Sequence, residues 1–441
     1  PPPPPRPRVM QVLSLTSGSM KFFASACAAV GVCCCSAAAQ VAVKAETLHT
    51  MAGDAIENGV VLIGADGTIE RVGAGLRVPD GYEVYECAVA TPGLVDVRAT
   101  AGLTGLYNVD HDQDQLETSS PMQPQLRAID AYNPREKLVT YIRSFGVTTI
   151  HTGHGPGESI SGQTLIAKTR GATIRESVID PAKGVAATLS PSAHRAGGKS
   201  PGTRAKAMEM MRAELLKAQA YAEKVAKAAA GDEADGPDGE GEAAKAPDRD
   251  LKLEALAEVL SGEAPLIVMA NRSQDIANAL RLQAEFGFTM WLDMGAECYL
   301  HMHELKARGV PVLLRPTMYR AWGESSNLSY GTAKTLADND LPFAISSGYE
   351  AYVPKVRVVL FEAAVAAGYG ELGFERGLRS GTIDAAEILG IADRVGSIEA
   401  GKDGDIAMYD GDPFEYTTHC VGVLIEGERF GGEQEFNIGY P

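Results

Sequence analysis

The chain has 441 residues, enough for one large and one small folded unit, and its 45% hydrophobic and 22% charged content supports a sizeable buried core. Forty basic residues against 57 acidic ones leave a net charge of −17, which repels phosphate backbones and anionic lipid surfaces alike. No nucleic-acid partner is expected.

Residues 1–19 open PPPPPRPR and read as an upstream segment. Met20 and Lys21, an apolar run over 22–35 and small residues at Ala37, Ala38 and Ala39 then form a secretory signal peptide cut after Ala39. The run is shorter than the roughly 20 apolar residues a bilayer span needs. The expected location is therefore extracytoplasmic, periplasmic or secreted, with no membrane partner once the leader is cut. Of seven cysteines, Cys27, Cys33, Cys34 and Cys35 leave with the leader. Cys87, Cys298 and Cys420 are too widely spaced for a disulfide framework or a zinc motif.

From residue 41 to 90 the texture is strand-like, with VAVKAETL and GVVLIGADGTIERVG broken by an Asp-Gly turn. DIAMYDGDPF and CVGVLIEGERF repeat it near the end, so residues 40–90 and 397–441 are assigned to a small β-sandwich domain built from both termini. Between them, over 91–396, GVTTIHTG, APLIVMAN, TMWLDMG, VPVLLRP and LPFAISSG alternate with helical segments. That order predicts an α/β parallel sheet or barrel. An insertion at about 195–250 breaks the rhythm. Strong helix formers with apolar positions three and four apart predict one long helix over about 203–230. The acidic, Gly- and Pro-rich stretch that follows predicts a surface loop.

The segment TPGLVDVRATAGLTG from Thr91 resembles the amidohydrolase superfamily, in which a PGL[IV]DxHxH strand delivers two metal-binding histidines. QPQLRAIDAYNP, GVTTIHTGHGPGESISGQTLIAKTRG, APLIVMANRSQDIANALRLQAEFGF and GTIDAAEILGIADRVGSIEAGKDGDIAMYDGDPF look like the same family in the same order. Its imidazolonepropionase-related secreted members are the nearest in pattern. The resemblance implies a (β/α)8 TIM barrel, a β-sandwich made by both termini, and metal-dependent hydrolysis of C–N bonds. A divalent ion there lowers the pKa of bound water and polarises the scissile carbonyl, so its ligands must be imidazoles or carboxylates.

Carried across residue by residue, those ligands are substituted. The two histidines of the first strand fall on Arg98 and Thr100, and those of the later V-x-H-A-H strand on Met269 and Asn271. Asp293 stands for the next histidine, and Ser347 and Gly348 stand where the catalytic aspartate would move protons. Lys168 reads as a solvated or salt-bridged lysine and is not firmly matched to the family's carbamylated metal bridge.

Other polar residues remain. Asp110, His111, Asp112 and Asp114 follow the first strand, and His151 and His154 follow GVTTI, at the strand ends where barrels of this kind build their sites. A relocated mononuclear site could use His111, His151, His154 and an aspartate; a hydrogen-bonded loop cap and a wall histidine are the alternative. The glycines of TGHGPGESISGQ read as close packing. His301 and His303, two apart on a helix, point about 200° apart and read as surface residues.

The function expected is an amidohydrolase-family protein without the metal centre, binding a small-molecule or peptide-like ligand through Arg98, His111, His151, His154, Asn271 and Asp293. The alternatives are a C–N hydrolase with a relocated or absent metal site and a scaffold subunit for an active paralogue. No cofactor is expected on the first reading; zinc or another divalent ion belongs to the relocated-site alternative, with Asp110, His111, His151, His154 and Asp293 as its candidates. Family analogy adds a homodimer.

Overall fold

In the computed structural model of the chain, the described residues are 40–105, 109–230, 246–315, 323–348 and 358–435. The segment expected to be a leader and most of the acidic stretch lie outside them.

Lys44 and Glu46 face solvent between the buried Val43, Ala45 and Leu48, the period-two pattern of a half-covered strand. They belong to β1 (Val41–Leu48), which is followed by β2 (Ile56–Ile63), β3 (Ile69–Ala74) and β4 (Glu83–Pro92). The chain next lays down β5 (Leu94–Ala99), β6 (Val147–Gly153), β7 (Ile160–Lys168) and β8 (Val178–Thr188). β9 (Leu266–Ala270), β10 (Met290–Met294), β11 (Val312–Leu314) and β12 (Phe343–Ile345) complete that series. β13 (Ile406–Tyr409), β14 (Cys420–Ile425) and β15 (Glu428–Gly431) then return to the first group. Among the described residues the terminal strands form one ladder ordered β15-β14-β13-β4-β1-β2-β3, so both ends of the chain build one sheet.

β5 to β12 form an eight-stranded sheet in sequence order. Its two edges meet: the Gly348 amide donates to the Arg98 carbonyl at 3.0 Å, and the Ser347 amide to Asp96 Oδ1 at 3.1 Å. The TIM-type barrel is therefore present, with one departure from strict β/α alternation. β7 runs antiparallel to both β6 and β8. Only residues 154–159 join β6 to β7, and a parallel return needs a crossover of roughly a dozen residues or more. A chain that short can only reverse.

Alternation within each strand makes two cores. Leu266, Val268, Leu292, Val312 and Phe343 face outward to the helices, while Val95, Ile267, Trp291, Leu313 and Ala344 fill the lower barrel. Ala385, Ala386 and Leu389, from the helix Ile383–Leu389, pack into that lower cluster. The space left for chemistry is at the other end, where the strands other than β7 finish.

The helix Arg204–Ala230 occupies the insertion, burying Ala207, Met208, Met211, Leu215 and Ala218 along one face. Lys168 ends β7 at the opposite end of the barrel from the mouth, paired with Thr149 near the start of β6. It is 1% exposed, and its ammonium lies 2.8 Å from Asp403 and 2.7 Å from Asp405. It is a buried, salt-bridged lysine far from the strand ends a metal bridge would require.

Candidate active site

The mouth of the barrel is ringed by polar side chains that lean on one another. Arg98, near the end of β5, is 1% exposed, with Nε 3.5 Å from Oδ2 of the buried Asp293 at the end of β10. Its Nη2 donates to the His154 carbonyl and its Nη1 to the Ala99 carbonyl at 3.4 Å. Asp96, one turn of the pleat below, accepts from the Ser347 hydroxyl and amide and from the Arg98 amide. Burial outweighs those donors and pushes its carboxyl up to about 6.

Across the mouth, Arg315 follows β11 at 5% exposure and donates from Nη1 to Met294 Sδ at 3.5 Å. A Cβ on Gly348, where φ is +72°, would stand 2.5 Å from Arg315 Nε, so glycine lets the guanidinium lie against the backbone. Asn271 Nδ2 faces Met294 Sδ at 3.8 Å and Met269 Sδ at 4.0 Å, while its Oδ1 accepts the Ala296 amide at 3.3 Å. Met294 holds φ 71°, left-handed for a side-chain-bearing residue. Glu297 below it accepts from Asn327 at 2.6 Å and lies 3.3 Å from Arg272.

His151 is fully buried in the barrel wall. Nδ1 lies 2.7 Å from the Val97 carbonyl, which can only accept, so Nδ1 carries the proton. Nε2 then accepts from the Thr164 hydroxyl at 2.7 Å, and the ring stands edge-on to Trp291. Burial first, and the Arg98 charge second, push its pKa down to about 3. His154, 5% exposed, is lowered to about 4 by the same two causes in the same order.

The mouth thus brings Arg98, His154, Asn271 and Asp293 into one connected ring and seats Thr100, Met269, Ser347 and Gly348 around it. It does not gather the first loop: Asp110 and Asp114 are exposed, and the His111 side chain is 82% exposed, 3.8 Å from Asp112. His151 spends both ring nitrogens on the wall. His301 is half-buried and hydrogen-bonded to Ser273 Oγ at 2.8 Å, and His303 is exposed. Arg315 and Met294 escaped sequence analysis. Their signal was position alone, at or just past strand tips, without a residue type the expected chemistry would use.

The divalent metal implied by the resemblance does not fit this donor set. A guanidinium, two hydroxyls, one thioether, a carboxamide, one paired carboxylate and a glycine occupy the positions to which the resemblance carries the ligands. Among the described residues no three His, Cys, Asp or Glu side chains are grouped to hold a metal ion. A permanent cation at the first ligand position also repels a second one.

Residues 315–437 match the family model described as the amidohydrolase family. The chain is 26% identical over 392 residues to the amidohydrolase tasK of Hapsidospora irregularis, a match covering 80% of this chain and 37% of that protein. It is 30% identical over 122 residues to the imidazolonepropionase of Thermoplasma volcanium, covering 26% of this chain and 29% of that one. The chain thus spans about a third of the length of these curated relatives. Its fold superposes on the crystal structure of an amidohydrolase from Thermotoga maritima MSB8 with a TM-score of 0.80, at 26% identity, over 89% of this chain and all of that one. Barrel, terminal sheet and matched sequence agree, and together they support the amidohydrolase superfamily for this chain.

Proposed function

We propose that this protein is a metal-independent member of its superfamily that binds a small-molecule or peptide-like ligand at the barrel mouth without hydrolysing it, in an extracytoplasmic compartment. The observation that carries this reading is the buried Arg98–Asp293 pair. The superfamily places an imidazole at the position of Arg98, and here a guanidinium, charged at every accessible pH, takes it up and engages the one carboxylate of the donor set. Hydrolysis would further need a general acid or base beside the scissile bond. Ser347 holds the position of the family's aspartate and donates to Asp96. What stays at the mouth is recognition chemistry: a thioether-lined slot around Asn271 and the imidazole of His154.

The test is to express the chain in zinc-supplemented medium, dialyse it, and measure metal per chain together with hydrolysis of amide, dipeptide and lactam substrates. Substoichiometric metal and no turnover are expected. One tightly held zinc per chain, lost in His151→Ala, would overturn the reading in favour of a relocated site. Turnover without metal would overturn the claim that the barrel is silent.

A further inference from the structure

Both ring nitrogens of His154 are buried without a hydrogen-bond partner among the described residues, at 5% exposure of the residue. The backbone of Gln115 attracts the ring without reaching hydrogen-bond geometry. The hydroxyl of Thr100, fully buried at the end of the first barrel strand, is equally without a partner. The two residues are neighbours: Gly155 donates to the Gln115 carbonyl at 2.7 Å, and a Cβ built on Gly155 would lie 3.7 Å from Thr100 Cγ2. Buried polar groups are almost always satisfied, because leaving one unpaired forfeits its hydration with nothing in return. Two such groups on neighbouring residues at the mouth of a barrel point to something that completes them.

The imidazole is held ready. Its carbonyl is gripped by Arg98 Nη2, and its ring lies against β7, where a Cβ on Gly162 would come within 2.4 Å of Cδ2 and 2.9 Å of Nε2. Any larger residue at Gly162 would displace the ring. The charge of the missing group follows from the field. Of the charged side chains, Arg98 acts most strongly on His154, and it acts to keep the ring neutral. A neutral imidazole offers one N–H, Thr100 offers one O–H, and of the Arg98–Asp293 pair it is the cation that acts on the ring. The complement is an anion with acceptor oxygens.

We propose that His154 and Thr100 recognise a ligand carboxylate, one oxygen taking the imidazole N–H and the threonine hydroxyl supplying the second donor, in the positive field of Arg98. This rests on the binding function argued above and narrows its ligand to a carboxylic acid. The C-terminus of a short peptide meets that description.

Protein labelled with 15N at histidine, titrated with sodium propionate and with its uncharged isostere propionamide, tests the assignment through the His154 ring nitrogen shifts. Propionate should move them saturably, and propionamide should bind on the order of tenfold more weakly. Thr100→Val, which keeps the imidazole, should weaken propionate about tenfold; His154→Phe, followed by calorimetry because it removes the reporting ring, should abolish propionate binding, and the Thr100 variant guards against a folding failure in it. Equal affinity for acid and amide, or propionate binding that leaves the His154 nitrogens unmoved, overturns the carboxylate assignment. If propionamide binds and propionate does not, that assignment fails while the binding function stands. A stoichiometric metal in the earlier experiment overturns the binding function alone, since the ring shifts are read independently of it.

Discussion

A histidine shut inside a barrel beside a guanidinium has one comfortable state, the neutral one, and the protein's acid stability depends on that. His151 has its proton on Nδ1, given to the Val97 carbonyl, and its lone pair on Nε2 engaged by Thr164. Protonation would make Nε2 a donor, so that Thr164 would have to turn its hydroxyl to the Gly184 carbonyl 3.3 Å away, and would set a second buried cation near Arg98. The folded pKa near 3 lies below an unfolded value near 6.5. Below pH 6.5 the unfolded chain therefore takes up a proton that the folded chain refuses. Stability is lost as pH falls from 6.5 toward 3, by about 1.4 kcal/mol per pH unit for this residue. His154 adds a loss of the same sign down to about pH 4. Asp96 works the other way: its folded value of about 6 exceeds the unfolded one, so it regains stability as pH falls from 6 to 4. Two imidazoles outweigh one carboxyl. Urea midpoints should drop between pH 7 and pH 5, and His151→Gln, though less stable at pH 7, should show a visibly smaller drop. An unchanged pH dependence in that variant would mean that His151 takes up its proton in the fold at the same pH as in the unfolded chain.

At the scale of elements, what could be foreseen divides by how local its cause is. β6, β9, β10, β11 and β12 coincide with apolar runs of strand length, and the long helix with its three-and-four spacing, because both patterns are properties of the segment itself. The reversal of β7 was hidden in a count: six residues between two strands leave no length for a crossover, however helical or parallel the surroundings. At the site, the placement of Arg98, Thr100, Met269 and Asn271 at the barrel mouth was legible because each sits at a fixed offset at the end of its strand. That Arg98 engages Asp293 rather than Asp96 was not settled in the sequence, because that contact joins strands nearly 200 residues apart. Nor was the isolation of His111, which depends on where a loop comes to rest. The helix Arg204–Ala230 gives this a measurable form. Met211 is fully buried against the barrel's helical layer, whereas Leu216 is 54% exposed. Met211→Ala should cost about 2–4 kcal/mol in urea denaturation, and Leu216→Ala no more than about 0.5 kcal/mol. Similar losses at the two positions would place a different face of the helix against the protein.

Across the whole molecule, the two sheets are tied at the end of the barrel away from the mouth by charges neither could bury alone. Lys168 of β7 reaches Asp403 and Asp405, which lead into β13; Asp405 also accepts the Glu426 amide at 2.9 Å, and Arg394 spans Asp403 and Glu426. Arg170 extends the same network to Glu426 and Glu428 beside the last strands. Because Lys168 is 1% exposed and Asp405 4% exposed, the pair is not a screened surface contact. Removing the cation alone strands carboxylate charge in a dry interface, at Asp405 above all because Arg394 still reaches Asp403, a loss of about 3–5 kcal/mol. That makes barrel and terminal sheet one cooperative unit, and the thiols can report it. Cys298 lies buried beside the barrel and Cys420 within the terminal sheet, and burial pushes the pKa of each up to about 12, so neither reacts until its surroundings open. In the wild-type protein, site-resolved thiol labelling should show both becoming reactive at the same urea concentration. Lys168→Met should move both transitions down together, and adding Asp405→Asn should recover part of the shift, since the second change removes one of the stranded charges. Separate transitions for Cys298 and Cys420 in the wild type, or a Lys168→Met variant within about 1 kcal/mol of it, would show that the two sheets hold independently of this buried lysine.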